Sequence, residues 1–240
     1  TVPYNYKDYL GSLIDSGSDN GCCLLPSRDP EGNLYHFNLS NNYEGYNDLD
    51  VRKQNYVYES DGKYRGMFII GELINPLNPS WICTGAREYI GEPLVVRDQI
   101  AYFAKVGEGK EYSSVSELQS TIATAEENSG VRPMKRSPRP NQEEYKQKFN
   151  PDIPIIRLSE IYYTLAECKM RLGDKQTAAE LINTVRKRYF EGGNDPDPVT
   201  AANLDKYRML KEWKLEFLNE GRRRTDLVRW GAYVTEDWWD

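Results

Sequence analysis

Histidine-based nucleophilic catalysis would have to use His36, the single histidine among 240 residues. It lies in Leu34-Tyr35-His36-Phe37 with no G-x-S-x-G and no cysteine in an activating motif, so neither a serine nor a cysteine triad has its base in place. Glycoside hydrolysis needs two carboxylates roughly 5–10 Å apart. The 37 acidic residues supply carboxylates in number, but no spacing marks a pair. Neither G-x-x-x-x-G-K-[ST] nor G-x-G-x-x-G occurs, so no phosphate or dinucleotide loop is expected. The four cysteines, Cys22, Cys23, Cys83 and Cys168, show no C-x-x-C spacing and give zinc no ligand set. Cys22 and Cys23 could join only as a strained vicinal disulfide. No enzyme activity, metal or cofactor is expected, and binding remains.

The residues that suit binding are aromatic. Tyrosine occurs 18 times, 12 of them in the first 112 residues, alongside five tryptophans. Rings with a polar tip suit surfaces that are half apolar and half wet. A sugar packs its C–H face on such rings while edge carboxylates and amides take its hydroxyls. Tyr43, Tyr46, Tyr56, Tyr58, Tyr64 and Trp81 are the candidate platform, with Trp81 favoured because the Pro76 to Pro79 turn would hold it outward on a loop. The alternative is that these rings pack on one another or, for Trp81, in the core.

Formal net charge is −6, which offers no electrostatic footprint for nucleic acid. The longest purely apolar run, Met67 to Ile70, falls far short of the roughly 20 residues that cross a bilayer. The chain starts at Thr1 without an initiator methionine or a charged-then-apolar leader, and is expected to be part of a longer protein.

The elements that must position the aromatics are short. Residues 1–112 are rich in turn signals, with strands expected at 54–59, 64–70, 94–97 and 100–106, the first two forming a hairpin around Asp61-Gly62. Ser114 and Glu117 form a capping box for a helix over 113–129, ended by Gly130. The proline-broken, basic stretch 131–140 can be neither helix nor central strand; it reads as an extended connector or as a loop for an anion.

The C-terminal half is helical. Pro154 suits a first helical turn, and Leu158, Ile161, Tyr162, Leu165 and Leu172 form the stripe of a helix over 153–172. Asp174 caps the next helix, 174–190, with Ala178, Leu181, Ile182, Val185 and Tyr189 inward. The spacing of Tyr162, Leu165, Ala166, Ala178 and Ile182 matches a tetratricopeptide unit, which needs stacked neighbours. With Trp238 and Trp239 at the end also lacking visible partners, the intact protein is expected to extend in both directions. A third helix, 203–220, carries Tyr207, Leu210, Trp213, Phe217 and Leu218 and should close over the hairpin through Trp213 or Phe217. Gly221 ends it, and a short helix follows over 225–230. The expected fold is mainly α: a loop-rich, tyrosine-rich region over 1–129 with one helix and little sheet, then tetratricopeptide-like hairpins over 130–240.

Arg222, Arg223, Arg224 and Arg229 crowd around Glu216, Glu220 and Asp226, interleaved with Leu227, Val228 and Trp230 that must face a core. Arginine stems lying along that core would let the guanidiniums grip carboxylates as a fold clamp. The expectation is that Arg223, Asp226 and Arg229 are structural, paired with Glu216 or Glu220.

LKEWKLEFLNEGRRRTDLVRWG resembles the C-terminal signature of the SusD/RagB family, E-R-x-x-E-φ-x-x-E-G-x-R-x-x-D-L-x-R-W-G, at Glu212, Glu216, Glu220, Gly221, Arg223, Asp226, Leu227, Arg229, Trp230 and Gly231. Trp213 stands where arginine is usual, which would remove one inner ion pair. DIPIIRLSEIYYTLAECKMRLGD is similar to a second family segment at Asp152, Pro154, Arg157, Glu160, Ala166 and Glu167, with Ser159 in place of alanine. Asp50 and Arg52 resemble a looser Asp-x-Arg element before a strand. The resemblance implies a lipid-anchored, outward-facing outer-membrane protein of Bacteroidota that captures glycans, or peptides in some members. It implies a seat as lid on a TonB-dependent, SusC-like transporter, with membrane contact only through a lipid anchor outside this chain. A helical-repeat adaptor for a protein partner and a glycoside hydrolase are the rival classes.

Overall fold

The computed structural model describes residues 28, 32–34, 42–58, 64–75, 78–84, 89, 91–99, 126, 128–133, 135 and 154–235. The strand expected at 100–106, the helix expected over 113–129 except for residues 126, 128 and 129, and the terminal Trp238 and Trp239 lie outside these residues; 126, 128 and 129 are not helical. The described residues are mainly α, with helices of 7 to 14 residues against strands of two to five. The chain divides into one unit formed by Thr1–Tyr35 with Gln54–Pro151 and another formed by His36–Lys53 with Asp152–Asp240.

Among the described residues the first unit holds four two-stranded antiparallel sheets. β1 (Val57–Tyr58) pairs with β2 (Tyr64–Arg65) in the hairpin that the Asp61-Gly62 turn predicts. β3 (Phe68–Ile69) pairs with β8 (Arg132–Pro133), β4 (Gly71–Glu72) with β7 (Val95–Val96), and β5 (Ile74–Asn75) with β6 (Asn78–Ile82). The strand expected over 64–70 is broken at Gly66, whose φ is +75°. A Cβ there would stand 2.2 Å from the Asn55 carbonyl oxygen, so the close crossing of residues 54–55 requires glycine. Phe68, Ile69, Leu73, Cys83, Leu94, Val96 and Val131 are buried. Backbone bonds from Leu73 N to Leu94 O (2.9 Å), Cys83 N to Leu73 O (2.8 Å) and Leu94 N to Cys83 O (3.0 Å) tie three segments together.

In the second unit α1 (Leu158–Arg171) and α2 (Lys175–Arg186) form the expected hairpin. Asp174 accepts from Thr177 N at 3.1 Å, the cap read from sequence. Two short 3-10 turns, Lys187–Tyr189 and Glu191–Gly193, lead toward α3 (Lys206–Glu216), and α4 (Arg223–Arg229) follows. The core joins Tyr163 and Ala166 of α1, Ala178, Ala179, Ile182 and Val185 of α2, and Met209 and Trp213 of α3 with Phe217. Trp213 and Phe217 both close over the hairpin, meeting Tyr163 edge-on at 5.4 and 5.8 Å between ring centroids.

Among the helix boundaries that differ from expectation, three have a local cause. Pro154 lies before α1, because Arg157 stays extended (φ −107°) to serve the ion pairs described below. α3 starts at Lys206 because Asp205 caps it, accepting from Arg208 N at 2.8 Å. It ends at Glu216 because Asn219 takes φ +61° ahead of Gly221.

The face of α1 also differs. Leu158 (72% exposed), Ile161 (55%), Leu165 (47%) and Leu172 (83%) point outward, while Ser159, Tyr163, Ala166 and Glu167 are buried. Both sets keep helical spacing. The small Ala166 lets the helix sit close to Ala178 and Ala179 of α2, and Glu167 has buried donors to meet, so the inward face is the less apolar one.

Candidate functional site

The aromatic candidates divide by depth. Tyr46 (3% exposed) and Tyr56 (2%) are core residues, so neither ring is presented to a ligand as the platform requires. Tyr46 is held there by its hydroxyl, which donates to the Leu215 carbonyl at 2.7 Å. Burial pushes its phenol well above the ordinary range, partly offset by the Arg52 guanidinium. Tyr43 is half-buried with the Lys53 ammonium 4.9 Å from its ring centroid. Tyr58 and Tyr64 are register partners on β1 and β2. Trp81 belongs to β6 and not to a loop: Pro79 is tolerated in this strand because a two-stranded sheet has only edges.

The charged residues of the C-terminal signature converge in the helical unit, with partners other than those expected. Glu216 and Glu220 are gripped by Arg157. Its Nε and Nη2 donate to the two Glu220 oxygens at 3.0 and 2.9 Å, and its Nη1 donates to Glu216 Oε1 at 2.9 Å. The same Nη1 donates to Ser159 Oγ at 2.7 Å, so the serine that departs from the family pattern gains a contact. Glu216 Oε2 also accepts from Arg52 Nη1 at 3.2 Å and the Tyr189 hydroxyl at 3.0 Å. Arg52 itself is fixed by Asp50 and lies 3.7 Å from the Tyr189 ring centroid. Burial opposes its charge, but the Asp50 hydrogen bonds outweigh that and raise its pKa.

Arg229 pairs instead with Glu167 and with Asp226, the latter at 2.6 Å. Arg222 pairs with Glu160 and lies 4.3 Å from the Trp213 ring centroid. Arg223 donates to the Leu210 carbonyl at 2.7 Å, which ties α4 to α3. Glu167 Oε2 accepts from both indoles, Trp213 Nε1 at 3.0 Å and Trp230 Nε1 at 3.2 Å. Trp213 thus supplies a neutral donor where the family pattern carries arginine. Burial works against the Glu167 charge, yet Arg229 and Arg171 outweigh it and hold the carboxyl below the usual range.

Sequence reading missed a third cluster. Arg186 donates to both oxygens of Glu212 at 2.8 Å and to Asp195 at 2.6 and 2.9 Å, and Arg208 joins Glu212 to Asp197 at 2.8 Å each. The available signal was an arginine on the flank of the Ala178–Ile182–Val185 face, preceding the Asp195-Pro196-Asp197 loop. Lys214, within the stripe of α3, is 6% exposed beside a cleft. In the basic stretch after residue 130, Arg132 is buried and donates to the Ser129 and Gly130 carbonyls, so its guanidinium serves the backbone.

These networks bring Arg157, Glu160, Glu167, Glu216, Glu220, Arg223, Asp226, Arg229 and Trp230 into one unit, where they clamp helices to one another. Among the described residues, no group of three or more His, Cys, Asp or Glu side chains is disposed to hold a metal. No described helix is long and apolar enough to cross a membrane.

The family model described as the SusD family matches residues 4–240. Two curated relatives are similar over shorter stretches. Starch-binding protein SusD of Bacteroides thetaiotaomicron is 41% identical over 90 residues, 37% of this chain and 15% of that protein. SusD-like protein P25 of Formosa agariphila is 32% identical over 82 residues, 33% of this chain and 15% of that protein. The matched stretch therefore spans about 15% of the length of either relative. No solved structure matches the chain.

Proposed function

This chain belongs to the SusD family, and from that premise we propose that it is part of an outward-facing, lipid-anchored binding protein that captures glycans and passes them to a TonB-dependent transporter. The observation that carries the reading is the family match over nearly the whole chain, joined by a relative whose name states that it binds starch. Binding and not catalysis fits the committed state of the carboxylates: Glu167, Glu212, Glu216 and Glu220 each accept from arginine. The helical hairpin is the scaffold in this reading, with tetratricopeptide-like neighbours supplied by chain outside this sequence. The ligand lies on the first unit, with Trp81, Tyr58 and Tyr64 as its aromatic contacts.

Hydroxyl-rich ligands exchange water for protein at about 1 kcal/mol per hydrogen bond, so affinity is expected in the micromolar to millimolar range. Such weak binding suits a protein that must release its cargo. Titrating soluble starch and its oligosaccharides while following tryptophan fluorescence tests the reading. Saturable binding that Trp81→Ala weakens at least about tenfold supports it. Unchanged affinity in Trp81→Ala would remove this platform, and no binding to any member of a glycan array would remove the glycan reading.

A further inference from the structure

Leu158, Ile161, Leu165, Cys168 and Leu172 recur at steps of three, four, three and four along α1 and its C-cap, and all five are exposed. Side chains at these steps are neighbours on one helix face, and the spacing is the a/d seam of a coiled coil, the register that a second helix covers with knobs in holes. Ile155 and Ile156, also exposed, extend the apolar strip ahead of the helix. Single exposed leucines are ordinary on a protein surface, whereas a continuous strip of this length marks a contact. The other helices of the unit do not provide that contact, because α2 and α3 pack on the opposite side of α1, around Tyr163 and Ala166.

Charge and length identify the helix that would cover the seam. The flanking positions are Tyr162, Thr164, Lys169 and Arg171, which are neutral or cationic. A second copy of this face would bring no carboxylate to them, and acidic flanks on the incoming helix would. Lys169 and Arg171 each hold one internal carboxylate, Asp174 at 3.4 Å and Glu167 at 3.0 Å, and both remain partly exposed to meet another. As to length, 90 residues are 15% of one curated relative and 82 residues are 15% of the other, so each relative is more than twice as long as the 240 residues of this chain. A helical hairpin of repeat type buries its second face on a neighbouring hairpin of the same polypeptide.

We propose that the outward face of α1 is the docking surface for an amphipathic helix of the same polypeptide, encoded outside these 240 residues, with apolar a and d positions and acidic flanks. The proposal deepens the scaffold part of the functional reading and does not depend on the ligand, so a failed glycan titration leaves it standing.

Cys168 lies in the seam and reports on its cover. The test compares the 240-residue chain with the product of the complete reading frame, both alkylated with iodoacetamide and read at Cys168 by peptide mass spectrometry. In the chain Cys168 should react as an exposed thiol, and in the complete protein at least about a hundredfold more slowly, since reaction there requires local opening. Leu165→Gln keeps size and helix propensity; in the chain it should shift the Tm by no more than about 2 °C, as surface substitutions do. In the complete protein the same substitution should lower the Tm by more than that and speed Cys168 alkylation at least about tenfold. Supplied in trans, a synthetic three-heptad helix with Leu at a and d and Glu at e and g should slow Cys168 alkylation in the chain, and its counterpart with Lys at e and g should bind at least about tenfold more weakly. Equal Cys168 rates in the chain and the complete protein overturn the proposal. So does protection of Cys168 in the chain by self-association, seen as a dimer in analytical ultracentrifugation, or protection in the complete protein that appears only on adding phosphatidylglycerol vesicles, which would assign the face to a second copy or to a lipid surface.

Discussion

Glu216 is the most informative residue to remove. It is buried, and three side chains converge on its two oxygens: Arg157 at 2.9 Å, Arg52 at 3.2 Å and the Tyr189 hydroxyl at 3.0 Å. Removing one member of a buried ion pair costs about 3–5 kcal/mol because the remaining charge is stranded. Here the stranded guanidiniums are not left bare. Arg157 keeps both oxygens of Glu220, and Arg52 keeps both oxygens of Asp50. The lower end, about 3 kcal/mol, therefore applies to Glu216→Ala, and at about 2–4 °C per kcal/mol for a chain of this size the Tm should fall by about 6–12 °C. Glu216→Gln keeps the acceptor shape but not the charge and should fall between. Asp48→Ala is the control, since Asp48 pairs with Lys53 at 2.6 Å but its side chain is 90% exposed, where solvent screens the pair and it contributes little. Urea unfolding followed by circular dichroism at 222 nm reads the helical unit directly. If Glu216→Ala lost no more than Asp48→Ala, the short distances around Glu216 would carry no energetic weight and the clamp would be refuted.

Trp213→Phe should cost about 1 kcal/mol beyond the lost ring area, because Glu167 loses one indole donor while Trp230 and Arg229 remain; a double-mutant cycle with Glu167→Gln measures the coupling. Acid should destabilise the fold: Glu167 and Asp195 have folded pKa values held below 4.5 and 3.8, so the unfolded chain takes up protons first, and stability is lost as pH falls through and below those values. The midpoint of unfolding measured from pH 7 to pH 2 should drop most steeply below about pH 4.5, and less steeply in Arg229→Met. Gly66→Ala should cost at least about 2 kcal/mol, since it adds a left-handed penalty to a contact with the Asn55 carbonyl, and amide exchange at Met67 and Tyr56 should accelerate. A parent-like exchange rate there would refute the close crossing.

What could be read from sequence was whatever depends on local rules. The α1–α2 hairpin, the Asp174 cap, the β1–β2 pairing and the inward Trp213 and Phe217 follow from spacing and capping chemistry that neighbours within a few residues decide. The face of α1 was not legible, because Leu158, Ile161 and Leu165 make as good a helical stripe as Ser159, Tyr163 and Ala166, and apolarity favoured the wrong one. Periodicity fixes that a helix has two faces; it does not say which face a distant carboxylate network requires. Nor was depth legible for single tyrosines: Tyr46 and Tyr56 have the same composition around them as surface rings, yet both are core residues.

The arginine clamp shows the same limit from the other side. The signature placed the right charges in one region, and it was natural to pair those close in sequence, Arg223 and Arg229 with Glu216 and Glu220. The folded unit pairs them across the hairpin: Arg157 crosses 59 and 63 positions to reach Glu216 and Glu220, and Arg229 reaches back 62 to Glu167. A local pairing would have stabilised one helix end. Long-range pairing ties α1 to α3 and α4, so each broken pair weakens the packing of separate elements at once. That arrangement also explains the extended Arg157 and the early end of α3: both place a charged group where a partner from a distant segment can meet it.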